Sequence, residues 1–376
     1  MCGSEAAAHP GSANLLSILV RSPDAASLPI RSVYNRPVPQ FIYTCSPDSE
    51  IEARDEFRAL AVGVETLRRL APGVLLARAA PEWDELAALL AARPPFWTRH
   101  LNPAEQRIPL LGDAGDLAVL EAALPPVLMD LDTDQSFSVQ TRLLGAGARW
   151  AYSRFDVNER LAAVIASWGA VLDVRSPDQA LSVVCVPGEA YLGLSLAAHN
   201  LSSWAGGEIR YRKEPERISR SEFKLLEALE TFRIELPGRG RALDLGAAPG
   251  GWTRILLEHG LEVTAVDPAV LDPRLSGHSG LRHIRSRFEE VRVNGLFDVI
   301  LNDMRLDARD SARLMADAAR LAAPGALAVM TLKLPEERMA VTAEAALRIL
   351  RSDWDVVGAR QLFHNRTEIT VFLRKE

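Results

Sequence analysis

The chain spends 43 residues on lysine and arginine, yet only four of them are lysine: Lys213, Lys224, Lys333 and Lys375. Arginine stays protonated in proteins, whereas a lysine ammonium can give up its proton where its surroundings favour that. A lysine in this chain therefore asks for a chemical reason. Lys333 follows an apolar run and precedes Leu-Pro, in Thr331-Leu-Lys-Leu-Pro335. Lys224 stands in Ser219-Arg-Ser-Glu-Phe-Lys-Leu225, Asp303 in Leu301-Asn-Asp-Met304 and Glu368 in Asn365-Arg-Thr-Glu-Ile-Thr370. Taken singly, these three have ordinary readings: a solvated helix residue, a loop cap and a surface strand residue. Taken as a set, two ammonium groups and two carboxylates can remove or polarise the proton of a hydroxyl, which is otherwise a poor nucleophile. An ordinary lysine titrates near ~10.4, too high for a base at neutral pH. Burial and a second cation, Lys224, would lower that value for Lys333, while Asp303 would oppose the shift and orient the ammonium. Glu368 would hold Lys224 or the substrate. This chemistry calls for no metal.

A second constellation is Asp244-Leu-Gly-Ala-Ala-Pro-Gly-Gly-Trp252. A short apolar strand, Arg241–Leu245, runs into glycines that allow close backbone approach, and a helix follows whose first N–H groups are unpaired. The spacing is not Gly-x-Gly-x-x-Gly, so a dinucleotide pyrophosphate is not the natural guest. S-adenosylmethionine, with a carboxylate and an adenosine but no phosphate, suits the wider turn better. Asp267 ends the next strand, 21 residues after Gly246, where a carboxylate can accept hydrogen bonds from ribose hydroxyls. The two constellations together predict in-line attack of a sugar hydroxyl on a sulfonium methyl.

These residues need a scaffold that brings them together. From Arg241 onward the sequence alternates strands and helices. Strands are expected at Arg241–Leu245, Glu262–Val266, Leu281–Arg285, Phe297–Asn302, Ala326–Leu332, Trp354–Leu362 and Glu368–Leu373. Helices are expected at Trp252–His259, Ala308–Leu321 and Glu336–Leu350. Such alternation implies an α/β fold, a parallel sheet covered on both faces, here with a terminal antiparallel hairpin. Its ligand crevice lies at the carboxyl ends of the strands, which is where Asp303 and Lys333 fall.

Before Arg241 the pattern differs. Residues 1–40 are rich in Ala, Ser, Pro and Gly and read as a disordered leader. Strands are expected at Phe41–Cys45 and Val74–Arg78, with helices at Glu50–Leu70 and Glu82–Ala92, in a small α/β unit that ends near His100. A further unit has a helix over Gly115–Ala123, stopped by Pro125-Pro126, and a strand over Ser136–Arg142. A helix over Val157–Trp168 and strands over Ala180–Val186 and Ala190–Ala197 complete it. The charged stretch Glu208–Ser219 marks a domain boundary. With 376 residues, 48% hydrophobic and 24% charged, the chain reads as an ordinary soluble protein of two or three domains. No apolar run is long enough to span a membrane, no signal peptide is read, and a cytoplasmic location is the default. Three scattered cysteines, Cys2, Cys45 and Cys185, argue against a disulfide framework or a zinc site. A net charge of −6 counts against nucleic-acid binding over the whole surface but leaves room for a local basic patch.

Residues 219–376 resemble the FtsJ-type (RrmJ-like) ribose 2′-O-methyltransferases. Within them they are most similar to the bacterial subgroup that modifies a cytidine of 23S ribosomal RNA. The likeness is carried by Ser219–Leu225, Asp244–Thr253, Leu332-Lys-Leu-Pro335 and Ala359-Arg-Gln-Leu-Phe-His-Asn-Arg-Thr-Glu-Ile-Thr-Val371. It implies a Rossmann-like seven-stranded sheet at 208–376, a ferredoxin-like domain at 41–110 and an RNA-binding THUMP domain at 111–207, with Phe137-Ser-Val-Gln-Thr-Arg142 as its clearest strand. It also implies a tetrad of Lys224, Asp303, Lys333 and Glu368, with Lys333 as proton acceptor. Cofactor contacts are implied from Ser221, Gly246, Ala248, Pro249, Gly250, Gly251, Asp267 and Asp303, with Trp252 packed beside the loop. The implied partner is RNA, as 23S ribosomal RNA or a large-subunit precursor. Two places depart from the family. Arg287 stands where an acidic residue usually meets the adenine amine, with Glu289 or Glu290 as substitutes, and the fourth-strand motif reads Asn302-Asp-Met-Arg-Leu-Asp307. Two further readings stay open at this point. One is a noncatalytic RNA-binding or ribosome-assembly factor on the same fold; the other is a small-molecule methyltransferase.

Overall fold

The structure, a computed structural model, describes residues 39–60, 63–212 and 214–376. The expected leader lies outside them except for Pro39 and Gln40, and so does Lys213. Contacts divide the chain into two compact units, one ending at Glu208 and one formed by Ile209–Glu376.

The first unit begins with β1 (Gln40–Thr44), α1 (Glu50–Ala59), β2 (Glu65–Ala71), β3 (Val74–Arg78), α2 (Trp83–Ala92) and β4 (His100–Pro103). The strands form an antiparallel sheet in the order β2-β3-β1-β4, the split arrangement of a ferredoxin-like βαββαβ unit. The expected helix over Glu50–Leu70 is too long. Only its first half is helical, and Glu65–Leu70 belongs to β2, where Thr66 and Arg68 pair with β3. Pairing along β3 overrides the weak helical pattern of this segment.

A second sheet follows, built from β5 (Gln106–Pro109), β6 (Ser136–Leu143), β7 (Val171–Leu172), β8 (Gln179–Val186) and β9 (Glu189–Leu196), in the order β5-β9-β8-β6-β7. Its helices are α3 (Asp116–Ala122), α4 (Leu124–Val127) and α5 (Arg154–Ser167). Leu120, Leu161 and Ile165 pack with Leu181 and Val183 on one face. On the other, Val184, Val186 and Tyr191 pack with Ile42, Val74 and Leu76 of the first sheet. Two sequence expectations need correction. Gln106–Pro109 pairs with β9, so it belongs to the second sheet and not to a first domain running to 110. The helix over 115–123 does end before the proline pair, with α3 closing at Ala122, but the prolines do not lead into a loop: Pro125 sits in the first turn of the short α4, where a missing N–H costs nothing.

The second unit comprises α6 (Glu222–Thr231), β10 (Arg241–Leu245), α7 (Gly251–Glu258), β11 (Glu262–Val266), β12 (Leu281–Ile284), β13 (Phe297–Asn302), α8 (Ala308–Ala318), β14 (Ala322–Lys333), α9 (Met339–Leu350), β15 (Asp355–Arg360) and β16 (Glu368–Arg374). The seven strands run β12-β11-β10-β13-β14-β16-β15. They are parallel up to β14, while β16 lies antiparallel between β14 and β15. The near-continuous apolar runs Ala242–Leu243 and Val299–Leu301 are 0–1% exposed, as strands covered on both faces must be. Strand order reverses between β10 and β13. A crevice opens at the carboxyl ends of the strands at such a switch point, and Gly246 and Asp303 are the residues that leave these two strands.

Candidate active site

A cleft of about 660 Å³ opens at this switch point. Ser221, Gly246, Ala248, Pro249, Trp252, Asp267 and Asp303 line it, with Asp244 at its base and Ser286–Glu289 at one end. Gly246 has φ +73°, and a Cβ added there would stand 2.4 Å from Met304 Cγ, so the turn requires glycine for both conformation and space. Gly250 and Gly251 shape the turn from behind the lining. Gly250 has φ +112°, and Gly251 faces Ser219 and Glu222 at distances that leave no room for a methyl group. Asp267 Oδ2 accepts a hydrogen bond from the Ala248 amide at 3.0 Å and Oδ1 accepts one from the Ala269 amide at 2.8 Å, so this carboxylate fixes the turn and borders the cleft. Trp252 is buried, and its Nε1 donates to the Ser221 carbonyl at 2.7 Å, joining α7 to the start of α6.

Asp244 accepts from Thr253 Oγ1 at 2.6 Å and is 1% exposed. Burial pushes its carboxyl up to about 7, against the Thr253 hydrogen bond, with Asp303 and Asp267 adding to the rise. Three carboxylates beside a glycine turn fit a ligand that carries an ammonium, a sulfonium and ribose hydroxyls, as S-adenosylmethionine does. Arg287 is exposed at the rim, next to Phe288 and Glu289 of the lining; Glu290 accepts from Ser286 Oγ at 3.1 Å.

Asp303 belongs to the cleft and also to a charged cluster at the ends of β13, β14 and β16. Lys333 Nζ donates to Asp303 Oδ1 at 2.8 Å and lies 3.4 Å from Glu368 Oε1. Lys224 Nζ lies 3.3 Å from Asp303 Oδ1 and 2.6 Å from Glu368 Oε2. The four residues of the sequence-level set thus meet in one ring of alternating charge, each side chain 16–22% exposed. Sheet register explains part of this: Lys333 and Glu368 are paired positions of β14 and β16. Burial raises the Asp303 pKa, but the Lys333 and Lys224 ammonium groups and the hydrogen bonds from Lys333 and Thr331 outweigh it, and the carboxyl ends below its usual range.

Some of the residues that build this site were not singled out from the sequence. Thr331 Oγ1 donates to Asp303 Oδ1 at 2.5 Å and also meets Lys333 Nζ. Period-two alternation puts Thr331 on the same strand face as Lys333, a signal present in the sequence. Glu222, fully buried, accepts from the Ile218 amide at 2.6 Å and the Ser219 amide at 3.2 Å and pairs with Arg254. The spacing Ser219-x-x-Glu222 is that of a helix capping box. Glu222 is buried and Arg254 partly exposed, and through the Glu222 carboxylate the pair ties the Ile218 and Ser219 amides at the lip of the cleft to α7.

Residues 217–348 match the family described as FtsJ-like methyltransferase. The chain is 30% identical over 341 residues to Ribosomal RNA large subunit methyltransferase M of Xylella fastidiosa (strain 9a5c), covering 87% of this chain and 95% of that protein. It is 39% identical over 176 residues to the protein of the same name from Halorhodospira halophila, covering 46% of this chain and 51% of that one. A third, from Laribacter hongkongensis, is 36% identical over 186 residues, with 46% and 52% covered. The chain thus spans about half the length of the latter two relatives and nearly all of the Xylella protein. Among solved structures, TrmN from Thermus thermophilus aligns with a TM-score of 0.39 and 20% identity over 90% of this chain and 99% of that one. The chain belongs to the FtsJ-like methyltransferases and, within them, to the family of ribosomal RNA large subunit methyltransferase M.

Proposed function

We propose that this protein, acting in the cytoplasm, transfers a methyl group from S-adenosylmethionine to the ribose 2′-hydroxyl of a cytidine in 23S ribosomal RNA or its large-subunit precursor. The observation that carries the reading is Asp303, which lines the cofactor cleft and also holds both lysines of the charged ring. Bound in the cleft, S-adenosylmethionine supplies an electrophilic methyl on a sulfonium. Its ribose hydroxyls suit Asp267, and Gly246, Ala248 and Pro249 offer main chain to its methionine part, in a turn that Gly250 and Gly251 shape from behind, with Ser221 and Trp252 closing the side. Lys333 in its neutral form takes the hydroxyl proton at Nζ. Asp303 and Thr331 aim that nitrogen, and Lys224 holds Asp303 and Glu368 from the other side of the ring. Glu368 holds Lys224 and bounds the sugar site. Positioned proton transfer of this kind contributes ~10²–10⁴-fold to a rate.

The first unit is proposed as the RNA-binding half, with a THUMP domain over 111–207 after the ferredoxin-like unit. What supports it is the length of the Xylella alignment, which takes in this half as well.

The test is methyl transfer from labelled cofactor to unmodified ribosomal RNA, followed by mapping of the 2′-O-methyl position. Lys333→Ala should lower turnover at least ~10²-fold while cofactor affinity stays within a few-fold. Equal transfer by both proteins would exclude Lys333 as the base, and transfer to a small molecule in place of RNA would exclude the substrate.

A further inference from the structure

Glu227 lies on α6, one turn beyond Lys224, and is 2% exposed. A buried carboxylate is costly unless its oxygens are hydrogen-bonded. Here the partners come from a distant segment. Oε1 accepts from the Phe363 amide at 2.5 Å, and Oε2 accepts from the His364 amide at 2.8 Å and stands 2.7 Å from His364 Nδ1. An apolar residue at 227 would leave both amides without this acceptor.

The segment that Glu227 grips is stiff. Asn365 Oδ1 accepts from the Leu362 amide at 2.9 Å and from Thr370 Oγ1 at 3.0 Å, and Gln361 Nε2 donates to the Arg366 carbonyl at 3.0 Å. The Leu334 amide donates to the Thr367 carbonyl at 2.8 Å, tying the segment to the end of β14 just past Lys333. The next residue is Glu368. Ring packing adds to the grip: Phe223 and His364 lie 5.1 Å apart at 22°, and Tyr211 lies 5.7 Å from Phe223 at 6°. Lys224 is carried by α6, whereas Glu368 opens β16 directly after the 361–367 loop, and the 2.6 Å Lys224–Glu368 contact joins the two elements.

We propose that Glu227 is a positioning residue for the tetrad: its carboxylate fixes the 361–367 loop to α6 and so sets the Lys224–Glu368 pairing. The inference rests on the methyl-transfer reading of that tetrad. Side chains of this kind matter because a misplacement of about 1 Å can cost ~10²-fold in rate. Glu227→Gln keeps size but offers one acceptor oxygen and an NH₂ group to three donors.

Two readouts test it. In turnover with ribosomal RNA, Glu227→Gln should lose about 10- to 100-fold, while the cofactor Kd and the KM for RNA stay within about threefold. The second readout uses the scarcity of lysine. With four lysines in the chain, Cε–Nζ correlations of lysine-labelled protein can be assigned by single Lys→Arg changes. Glu227→Gln should move the Lys224 signal and leave that of Lys375 in place. His364→Ala, which removes one of the three donors, should do the same to a lesser degree. It serves as the probe if Glu227→Gln fails to fold.

An unmoved Lys224 signal, unchanged turnover, or a cofactor affinity that falls in step with turnover would overturn the assignment. If the wild-type protein does not methylate RNA, the methyl-transfer reading fails, and the lysine signals still decide whether Glu227 sets the pairing.

Discussion

The cofactor cleft and the charged ring share Asp303 but are built by opposite means. The cleft turn is one contiguous stretch, Gly246–Gly251, whose shape is written in the main chain and in the absence of side chains. The ring is made of four side chains from α6, the end of β13, β14 and β16. Its geometry exists only when long-range strand pairing and helix packing are complete. The first kind of site fails when an atom is added; the second fails when a partner shifts.

The largest effect on the cleft side should come from Gly246→Ala. A non-glycine residue held at this φ costs about 1–3 kcal/mol, and its Cβ would run into Met304. S-adenosylmethionine affinity, measured by calorimetry, should drop at least tenfold, while the lysine signals of the ring stay where they are. If the ring signals move as much as the affinity falls, the two sites are not separable.

A smaller effect, opposite in sign at the two sites, should appear in stability against pH. Burial holds the Asp244 proton until about 7. As pH rises from the unfolded carboxyl value near ~3.9, the unfolded chain loses that proton first. Stability from Asp244 therefore falls as pH rises through about 7. The Asp303 carboxyl is depressed instead. Its contribution is present above the unfolded value and is lost as pH falls through the folded one. Denaturant unfolding from pH 4 to 8 should show the first trend in the wild type and a flatter profile in Asp244→Asn, which can still accept from Thr253. Identical profiles would mean that Asp244 is ionised throughout.

The smallest effect should come from Arg287→Ala. This side chain is exposed at the cleft rim, so cofactor affinity should change by no more than about threefold, within the ~1 kcal/mol usual for exposed charges. A tenfold loss would instead assign Arg287 a direct part in holding the cofactor, in place of the acidic residue expected there.

Much of the scaffold was legible because its signals are local. Each strand expected after Arg241 is present, and β15 and β16 form the terminal hairpin. Period and composition mark such strands, which are buried on both faces. The first unit was read less well. Half of the Glu50–Leu70 helix is strand β2, and the short strands β4 and β5 at 100–109 were not expected. Four-residue strands rich in proline and polar residues carry too little pattern to stand apart from loop.

For the site, the sequence alone determined the glycine turn, Asp267 at the end of the next strand and the rarity of lysine. Each is a property of a few adjacent residues or of composition. Only the tertiary structure decided that β16 inserts beside β14, so that Glu368 faces Lys333, and that Asp303 serves both lysines. It also decided that Glu222 and Glu227, ordinary helix carboxylates by sequence, are buried and bind main-chain amides outside their own helix. What buries a charge is the set of donors that folding gathers around it, and those donors lie up to 137 residues away along the chain.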